Sequence, residues 1–333
     1  MNFKSYNDLS NDIKNNISKI HTGNYDLVVG FPRSGMIPAH MIALYLNTHV
    51  TDFESFLNNK SLKCGLTRNV RVNLKKPHDA ENILLVDDSI YSGNSIKKSL
   101  NKIPTDLKNK STTLAVYSNI PDRNDIDLYL DVVSTPRVFE WNIFHHSVLR
   151  KACVDIDGVL CSDPTSYEND DGDKYINFLQ NAKPKILPTM KINSLVTSRL
   201  EKYRTHTETW LKKHNIEYDN LIMLDLPSKE ERIKQQSHAI HKAKYYMSNS
   251  KLELFIESDI KQSYQITHIS GKPVFCVDSN KIINPSMLNS AFKNPVIYKP
   301  RLKFFLRAMT PLWIKKLLKP ILSLFRFFYK KKT

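Results

Sequence analysis

Residues 83–95 read ILLVDDSIYSGNS, and this stretch decides the fold of the first half of the chain. Its apolar start predicts a buried strand, and the small polar residues that follow predict a loop opening a helix near Ser95. Carboxylates at the end of such a strand suit sugar hydroxyls, whereas backbone N–H groups at a helix start suit phosphate. The stretch therefore predicts an anion-binding loop; the alternative is an ordinary strand before an N-capped helix.

The same alternation of strand and helix extends in both directions. A helical start (Tyr6 to Ile20) and a β-branched run (Tyr25 to Val29) precede the quoted strand, and the pattern restarts at Lys151. Such alternation is typical of parallel sheets covered by helices. We therefore predict an α/β protein with two parallel-sheet, three-layer domains, residues 1–149 and 150–290.

The charge of the chain is concentrated at its end. Of the 333 residues, 49 are Lys or Arg and 33 are Asp or Glu, which gives a formal net charge of +16. No acidic residue follows Asp278, whereas thirteen basic residues do. The positive charge therefore belongs to a tail and does not indicate a nucleic-acid-binding fold. Four cysteines without a CxxC pair, and a start without an apolar core, predict a reduced cytoplasmic protein.

Residues 299–333 interleave aromatic and aliphatic side chains with eleven cations. Pro311 and Pro320 divide this segment, and no apolar run approaches the length that spans a bilayer. We predict basic amphipathic helices on an anionic membrane, so that the protein lies peripherally on the inner face of the cell membrane. The aromatic residues expected to insert are Trp313, Phe325, Phe327 and Phe328. The alternatives are a helix packed on the enzyme or an RNA-binding tail, and we do not expect nucleic acid as a partner.

The stretch 83–95 resembles the signature of the type I phosphoribosyltransferases, which is a hydrophobic strand, two acidic residues and a Thr/Ser-Gly-x-Thr/Ser loop. The resemblance implies phosphoribosyl diphosphate as substrate, together with Mg²⁺. Asp87 and Asp88 would then bind the ribose 2- and 3-hydroxyls. The residues that would bind the 5-phosphate are Ser89, Ser92, Gly93, Asn94 and Ser95.

Two other segments resemble parts of this family. Residues 28–35 read VVGFPRSG and resemble its diphosphate loop, so Arg33, Ser34 and Gly35 would contact the leaving group, although Ser34 stands where the family often has glycine. The basic stretch 63–76 resembles its mobile lid and would bring Arg68 and Arg71 to the substrate; a solvated charged loop is the alternative.

The acceptor is expected to contact residues 136–146, PRVFEWNIFHH. Phe139 and Trp141 in this segment could stack on a base or a sugar, or could close the core. The chemistry of these residues alone leaves the acceptor open.

The second half is marked by KACVDIDGVL, residues 151–160, which places Asp155 and Asp157 two residues apart at a strand end. This string resembles the haloacid dehalogenase superfamily, in which the first aspartate attacks phosphorus and the second is a general acid and base. The resemblance also implies that Thr197, in preference to Ser198, bonds the phosphoryl group. The interval from Asp155 to Thr197 is too short for a large cap domain, so we predict an open site.

Later motifs of the same superfamily are matched in order. A lysine in the segment HKAKY should offset phosphoryl charge, and Lys242 and Lys244 are both candidates. The segment LFIESD, residues 254–259, should complete a Mg²⁺ site. The predicted metal ligands or their supporting residues are Asp155, Asp157, Glu257 and Asp259.

The three parts together resemble the transferase and phosphatase pairs that build ribofuranose into bacterial surface polysaccharides such as O-antigen. We predict transfer of 5-phosphoribosyl to a lipid-linked glycan acceptor, followed by hydrolysis of the 5-phosphate. One alternative is a nucleobase phosphoribosyltransferase fused to a nucleotide phosphatase, for salvage. Another is a non-enzymatic sensor of phosphoribosyl diphosphate, against which the intact Asp155 and Asp157 argue.

Overall fold

The computed structural model describes residues 1–286 except Cys64, residues 66–68 and Gln236. The predicted tail, residues 299–333, and Arg68 lie outside the described residues. The chain separates into two compact units, Met1–Trp141 and the residues from Asn142 onward. In the described part of the chain, no helix is both long and apolar enough to cross a membrane.

The first unit contains seven described strands and five described α-helices. The strands are β1 (Asn2–Lys4), β2 (Leu27–Gly30), β3 (His49–Asp52), β4 (Ile83–Ile90), β5 (Ser111–Ser118), β6 (Leu128–Val132) and β7 (Arg137–Phe139). The helices are α1 (Tyr6–His21), α2 (Met36–Leu46), α3 (Phe53–Leu57), α4 (Asn94–Leu100) and α5 (Thr105–Asn109).

The first unit is built on a parallel five-stranded sheet in the order β3-β2-β4-β5-β6, while β1 and β7 pair separately. Successive residues of β4 face opposite sides of the sheet, as the period of a strand requires. Leu84 and Val86 join the core beneath α1 and α2, and Ile83 and Leu85 join the core on the other face. Because both faces are covered, β4 is apolar throughout its first half.

The second unit continues this numbering. Its strands are β8 (Ala152–Val154), β9 (Ile192–Leu200), β10 (Tyr218–Leu224), β11 (Leu254–Glu257), β12 (Val274–Cys276) and β13 (Lys281–Ile283). Its α-helices are α6 (Asp173–Asn181), α7 (Arg204–Lys213), α8 (Lys229–Gln235), α9 (Ser237–Ser248) and α10 (Ile260–Ser270).

The sheet of the second unit has the order β10-β9-β8-β11-β12-β13, parallel except for the edge strand β13. The prediction of an α/β protein with parallel sheets is confirmed. In both units the chain leaves its first central strand toward one edge and later returns to the other side. Ligands of open α/β sheets bind at such a switch point, outside the carboxyl ends of the strands. The switch points lie between β2 and β4 and between β8 and β11.

Candidate active sites

The loop after β2 meets the acidic pair in the second half of β4 at the first switch point. Gly30, the last residue of β2, is in register with Val86, so the residues after Gly30 lie beside Asp87 and Asp88. Ser34 Oγ donates a hydrogen bond of 2.8 Å to Asp88 Oδ1 across 54 residues of sequence. A Cβ atom on Gly35 would lie 2.7 Å from the carbonyl oxygen of Phe31 and 2.8 Å from that of Val86, so only glycine fits here. Two segments predicted from separate motifs thus form one site.

The two carboxylates of this site differ in their surroundings. Asp88 is buried, and its Oδ2 accepts hydrogen bonds from Trp141 Nε1 at 2.7 Å and from Ser89 Oγ at 3.4 Å. Burial, followed by the neighbouring Asp88, raises the pKa of Asp87 to about 8. An acidic pair that retains a proton near neutral pH has unmet demand for positive charge, which fits a divalent cation or the donor hydroxyls of a sugar.

The predicted phosphate-binding residues lie beside this pair. Strand β4 extends to Ile90, so Ser89 belongs to the strand and its hydroxyl is directed to Asp88. Gly93 caps α4 with a φ of +73°, in the left-handed region that favours glycine. Of the predicted phosphate-binding residues, Ser92, Asn94 and Ser95 have exposed side chains at this turn. Arg33 is likewise exposed, in the loop between β2 and α2.

Arg71 is not brought to the first site. Its Nη2 donates to the carbonyl oxygen of Tyr25 at 2.6 Å, its Nη1 bonds Asn24 Oδ1, and Asp26 lies 3.7 Å away. These three partners precede β2, at the edge of the sheet opposite Asp87. Contrary to the prediction, Arg71 is therefore not placed to bind substrate at the first site. Its guanidinium binds residues that precede β2, at the amino end of that strand. Arg68 lies outside the described residues.

The aromatic segment has two roles. Phe139 is buried and stacks on Trp141 with ring centroids 4.9 Å apart and on Tyr117 at 5.4 Å, so it closes the core. Trp141 is half-buried and carries its indole N–H to Asp88. Tyr6, which is 40% exposed, has its ring centroid 5.5 Å from that of Trp141. Tyr6 was not anticipated as part of this region, because its helix-opening position gives no indication of it.

The second site forms around one buried lysine. Lys242 Nζ on α9 lies 2.6 Å from Asp155 Oδ2 and 2.7 Å from Glu257 Oε2. Asp155 follows β8 and Glu257 ends β11, the two strands of the switch point, and all three side chains are buried. Lys244 is exposed. Of the two candidate lysines, only Lys242 reaches the predicted nucleophile.

The charges of this cluster are mutually dependent. Burial raises the pKa of Asp155 and raises that of Glu257 to about 8, with Lys242 acting in the opposite direction. Burial would lower the pKa of Lys242, but the two carboxylates raise it above its ordinary value. A buried ammonium between two carboxylates is therefore held charged.

Asp157 is held by an arginine that was not anticipated. Arg199 Nη2 lies 2.6 Å from Asp157 Oδ1, and Arg199 Nε lies 3.1 Å from Asp157 Oδ2. The guanidinium is buried, and Thr197 Oγ1 accepts a hydrogen bond of 3.2 Å from the Arg199 N–H. Both residues lie on β9, whose end thus supports Asp157. The sequence feature that could have indicated Arg199 is its position two residues after the predicted Thr197.

The four predicted metal ligands are not arranged as one set. Asp155 and Glu257 bind Lys242, and Asp157 binds Arg199. Asp259 Oδ1 accepts from Gln262 N at 2.7 Å and so caps α10. Within the described residues, no group of three His, Cys, Asp or Glu side chains is placed to hold a metal ion. The residues of the second site, as placed, do not fit Mg²⁺.

Two more basic residues line this region. Arg232 on α8 is buried, and its Nη1 donates to the carbonyl oxygen of Ser198 at 2.8 Å. Burial, then the charges of Arg232 and Lys242, lowers the pKa of His238 to about 4, while Asp259 acts in the opposite direction. His238 is thus neutral at pH 7 and lies near both cations. Two cationic side chains in one region are a feature suited to binding a phosphate monoester.

Comparison with known proteins identifies no family. No protein-family model matches the sequence, and no curated protein is significantly similar to it. Several solved structures are similar. A purine phosphoribosyltransferase from Pyrococcus horikoshii has 18% identity and a TM-score of 0.30, with coverage of 42% of this chain and 92% of that one. A Helicobacter pylori xanthine-guanine-hypoxanthine phosphoribosyltransferase has 19% identity and a TM-score of 0.31, with coverage of 43% and 93%.

A third similarity is to a chain of the Pnkp1/Rnl/Hen1 complex. It has 16% identity and a TM-score of 0.27, with coverage of 75% of this chain and 95% of that chain. Similarities at these TM-scores do not establish function.

Proposed function

We propose that the chain is a bifunctional enzyme with a phosphoribosyltransferase in its first unit and a phosphatase in its second. The observation that carries the first activity is the 2.8 Å hydrogen bond from Ser34 to Asp88. It joins a diphosphate-loop motif to a ribose-binding motif at a switch point, where neither motif alone would define a site. The second activity is supported by the buried contact between Lys242 and Asp155.

The transfer step would proceed by substitution at the anomeric carbon. An acceptor hydroxyl forms a new C1–O bond, the bond to diphosphate breaks, and the hydroxyl proton leaves to solvent or a nearby carboxylate. Asp87 and Asp88 would accept hydrogen bonds from the ribose hydroxyls, while residues 89–95 hold the 5-phosphate and residues 33–35 hold the diphosphate. Mg²⁺ bound with the substrate would neutralise charge on the leaving diphosphate, and the acidic pair supplies oxygen donors suited to it.

The hydrolysis step would use Asp155 as nucleophile. Its carboxylate attacks phosphorus, the bond from phosphorus to the sugar oxygen breaks, and the alcohol leaves with a proton from Asp157 or water. Water then cleaves the acyl phosphate and restores Asp155. Lys242 and Arg232 are the cations suited to balance charge on the phosphoryl oxygens, and Arg199 keeps Asp157 in a fixed orientation.

We further propose that both steps act on one lipid-linked glycan acceptor, leaving a ribofuranosyl residue. The regions predicted from the sequence are 1–149 for transfer, 150–290 for hydrolysis and 299–333 for contact with the inner face of the cell membrane, whereas the compact units divide between Trp141 and Asn142. The sequence of the tail supports this arrangement, since a membrane-bound acceptor explains eleven cations interleaved with aromatic residues.

The acceptor class is tested with ribose-labelled phosphoribosyl diphosphate, Mg²⁺ and membrane lipid extract. We expect release of diphosphate and appearance of label in the lipid fraction. Label in added nucleobases instead would assign the protein to nucleotide salvage. No diphosphate release with lipid, glycan or base would contradict the transferase assignment.

The pKa of Asp87 predicts a pH dependence of substrate binding. If ribose hydroxyls and the bound cation require the carboxylate form, binding must displace a proton below pH 8. The affinity for phosphoribosyl diphosphate with Mg²⁺ should fall about twentyfold from about pH 8.5 to pH 6.5. Titration calorimetry at several pH values measures it. Asp87→Asn, the control, should bind weakly with a flatter profile; an equal profile in both proteins would contradict the assignment.

The same raised pKa has an effect on stability with a definite sign. The folded state binds this proton more tightly than the unfolded state, so the stabilisation is fully present below the unfolded pKa near 4. It is lost as pH rises through the folded pKa of about 8. Asp87→Asn should therefore raise the free energy of unfolding above pH 8, which urea unfolding at several pH values measures.

The two lysines of α9 give a matched pair of variants. Lys242→Met leaves Asp155 and Glu257 buried without their cation, so hydrolysis of p-nitrophenyl phosphate should fall at least about a hundredfold and stability by about 3 kcal/mol. Lys244→Met removes the same charge from an exposed position and should change either quantity little. Similar losses in both variants would show that Lys242 has no special role.

Deleting residues 299–333 tests the membrane proposal. The truncated protein should no longer sediment with anionic vesicles, because eleven cations at about 1 kcal/mol each supply the attraction. High salt should weaken binding of the full chain without abolishing it, since aromatic insertion resists salt. Hydrolysis of p-nitrophenyl phosphate should be spared. If the full chain ignores vesicles but binds RNA with a steep salt slope, the membrane assignment fails.

A further inference from the structure

Two arginines donate hydrogen bonds to backbone carbonyl groups at the start of the loop between β4 and α4. Arg137 Nη2 donates to the carbonyl oxygen of Ile90 at 2.7 Å. Arg123 Nη1 donates to the carbonyl oxygen of the next residue, Tyr91, also at 2.7 Å. Consecutive carbonyl groups of the loop are therefore both bound by guanidinium groups.

The arginines are themselves fixed. Arg123 has only 5% of its side chain exposed; its Nε donates to Asp125 Oδ1 at 2.7 Å and its Nη1 to Asn119 Oδ1 at 2.7 Å. Arg137 Nη1 also donates to the carbonyl oxygen of Val133 at 3.1 Å, and its guanidinium lies 5.3 Å from the ring centroid of Phe139. Such charge-assisted bonds allow little movement of the loop.

A residue bound to Arg123 also lies close to Gly93, the glycine of the loop. The position that a Cβ on Gly93 would take is occupied by the carboxylate of Asp125, the partner of Arg123. Gly93 has a φ of +73°, so a side chain would also strain the backbone. Arg123 and Asp125 thus lie against the turn, and they belong to no motif recognised in the sequence.

The orientation of the loop amides follows from peptide geometry. In a planar trans peptide the C=O and the following N–H point in opposite directions. Since the Ile90 and Tyr91 carbonyl groups face the arginines, the N–H groups of Tyr91 and Ser92 face the other way. A carbonyl bound to a cation also polarises its peptide and strengthens the N–H as a donor.

We propose that Arg123 and Arg137 are positioning residues that preset this loop for the 5-phosphate of phosphoribosyl diphosphate, an inference that rests on the proposed transferase function. Residues 89–95 contain no lysine or arginine, so the anion must be attracted by backbone amides and by charges outside the loop. The two guanidinium groups orient the backbone amides and add positive charge outside the loop, and neither has to contact the ligand.

The test separates the two ends of the substrate. Labelled phosphoribosyl diphosphate is bound to the full chain carrying Asp155→Asn, to prevent hydrolysis, and is displaced with ribose 5-phosphate or with inorganic diphosphate. Arg123→Met and Arg137→Met should each weaken competition by ribose 5-phosphate about tenfold, and competition by diphosphate less than about twofold. Lys98→Met removes an exposed charge on α4 and should leave both ligands unchanged.

Each outcome has a definite meaning. Equal weakening of both ligands would indicate general damage and overturn the inference, as would unchanged competition in the arginine variants. If circular dichroism shows that a methionine variant does not fold, the Arg137→Lys variant is used instead. Weaker binding of ribose 5-phosphate despite the retained charge would support a positioning role. Unchanged binding would indicate a purely electrostatic role and would overturn the inference. A parent protein that binds no phosphoribosyl diphosphate at all would instead contradict the proposed function.

Discussion

Replacing Asp155 by asparagine is expected to stop phosphate release and to leave the 5-phosphorylated transfer product to accumulate. The amide cannot attack phosphorus, so hydrolysis of p-nitrophenyl phosphate should fall by roughly a thousandfold or more. The volume of the side chain is kept, and Lys242 retains Glu257 as its partner at 2.7 Å, so the fold should persist. Phosphate release and the mass of the transfer product are the measurements.

Asp173→Asn is the matched control for this variant. Asp173 is exposed at the start of α6, so its loss should leave hydrolysis unchanged. Transfer should proceed at the parent rate in both variants. Dephosphorylated product at normal yield from Asp155→Asn would mean that the second site performs another reaction.

Replacing Asp87 and Asp88 together by asparagine should remove transfer while hydrolysis of p-nitrophenyl phosphate continues. The pair loses the acceptors for the ribose hydroxyls and both negative charges, so diphosphate release should fall by roughly a thousandfold. Trp141 can still donate to the side chain at position 88, which keeps the local structure. The measurement is diphosphate release beside phosphate release.

Asp106→Asn, at an exposed position on α5, provides the control in the first unit. It should change neither activity. Loss of both activities in a folded double variant would refute independent sites, because the two acidic motifs belong to separate sheets.

The elements were predictable where the local pattern is strong. The helix expected from Tyr6 to Ile20 is observed as Tyr6–His21, since an apolar stripe is preceded by a capping box between Ser5 and Asp8. The strand that carries Asp87 was predicted from its apolar run for the same local reason, although β4 continues past the two carboxylates to Ile90. Such features depend on neighbours in sequence, and therefore the sequence reveals them.

The contacts that complete the sites depend on distant partners. Four arginines have long side chains whose direction is determined by the carboxylates and carbonyl groups that they contact in the folded chain. They are Arg199, Arg232, Arg123 and Arg137. Arg71 shows the converse, since a basic loop residue expected at the substrate binds backbone at the far edge of the sheet. Apart from the position of Arg199 two residues after Thr197, no pattern in the surrounding residues distinguishes these cases.

The sequence contains a pattern that distinguishes Lys242 from Lys244. Residues two apart on a helix face different directions, and the buried stripe of α9 contains Ala239, Ala243 and Tyr246. Lys242 lies on that stripe and Lys244 lies off it. Helical periodicity around a charged residue can therefore separate a buried ligand from a solvated one.

The most direct test of two-step chemistry uses phosphoribosyl diphosphate labelled separately in its ribose and in its 5-phosphate. With lipid extract and Mg²⁺, ribose label should enter the lipid fraction while an equal amount of 5-phosphate label is released as inorganic phosphate. In Asp155→Asn both labels should remain together on the lipid. Ribose label that never leaves phosphoribosyl diphosphate, or 5-phosphate label that stays on the acceptor in the parent protein, would contradict it.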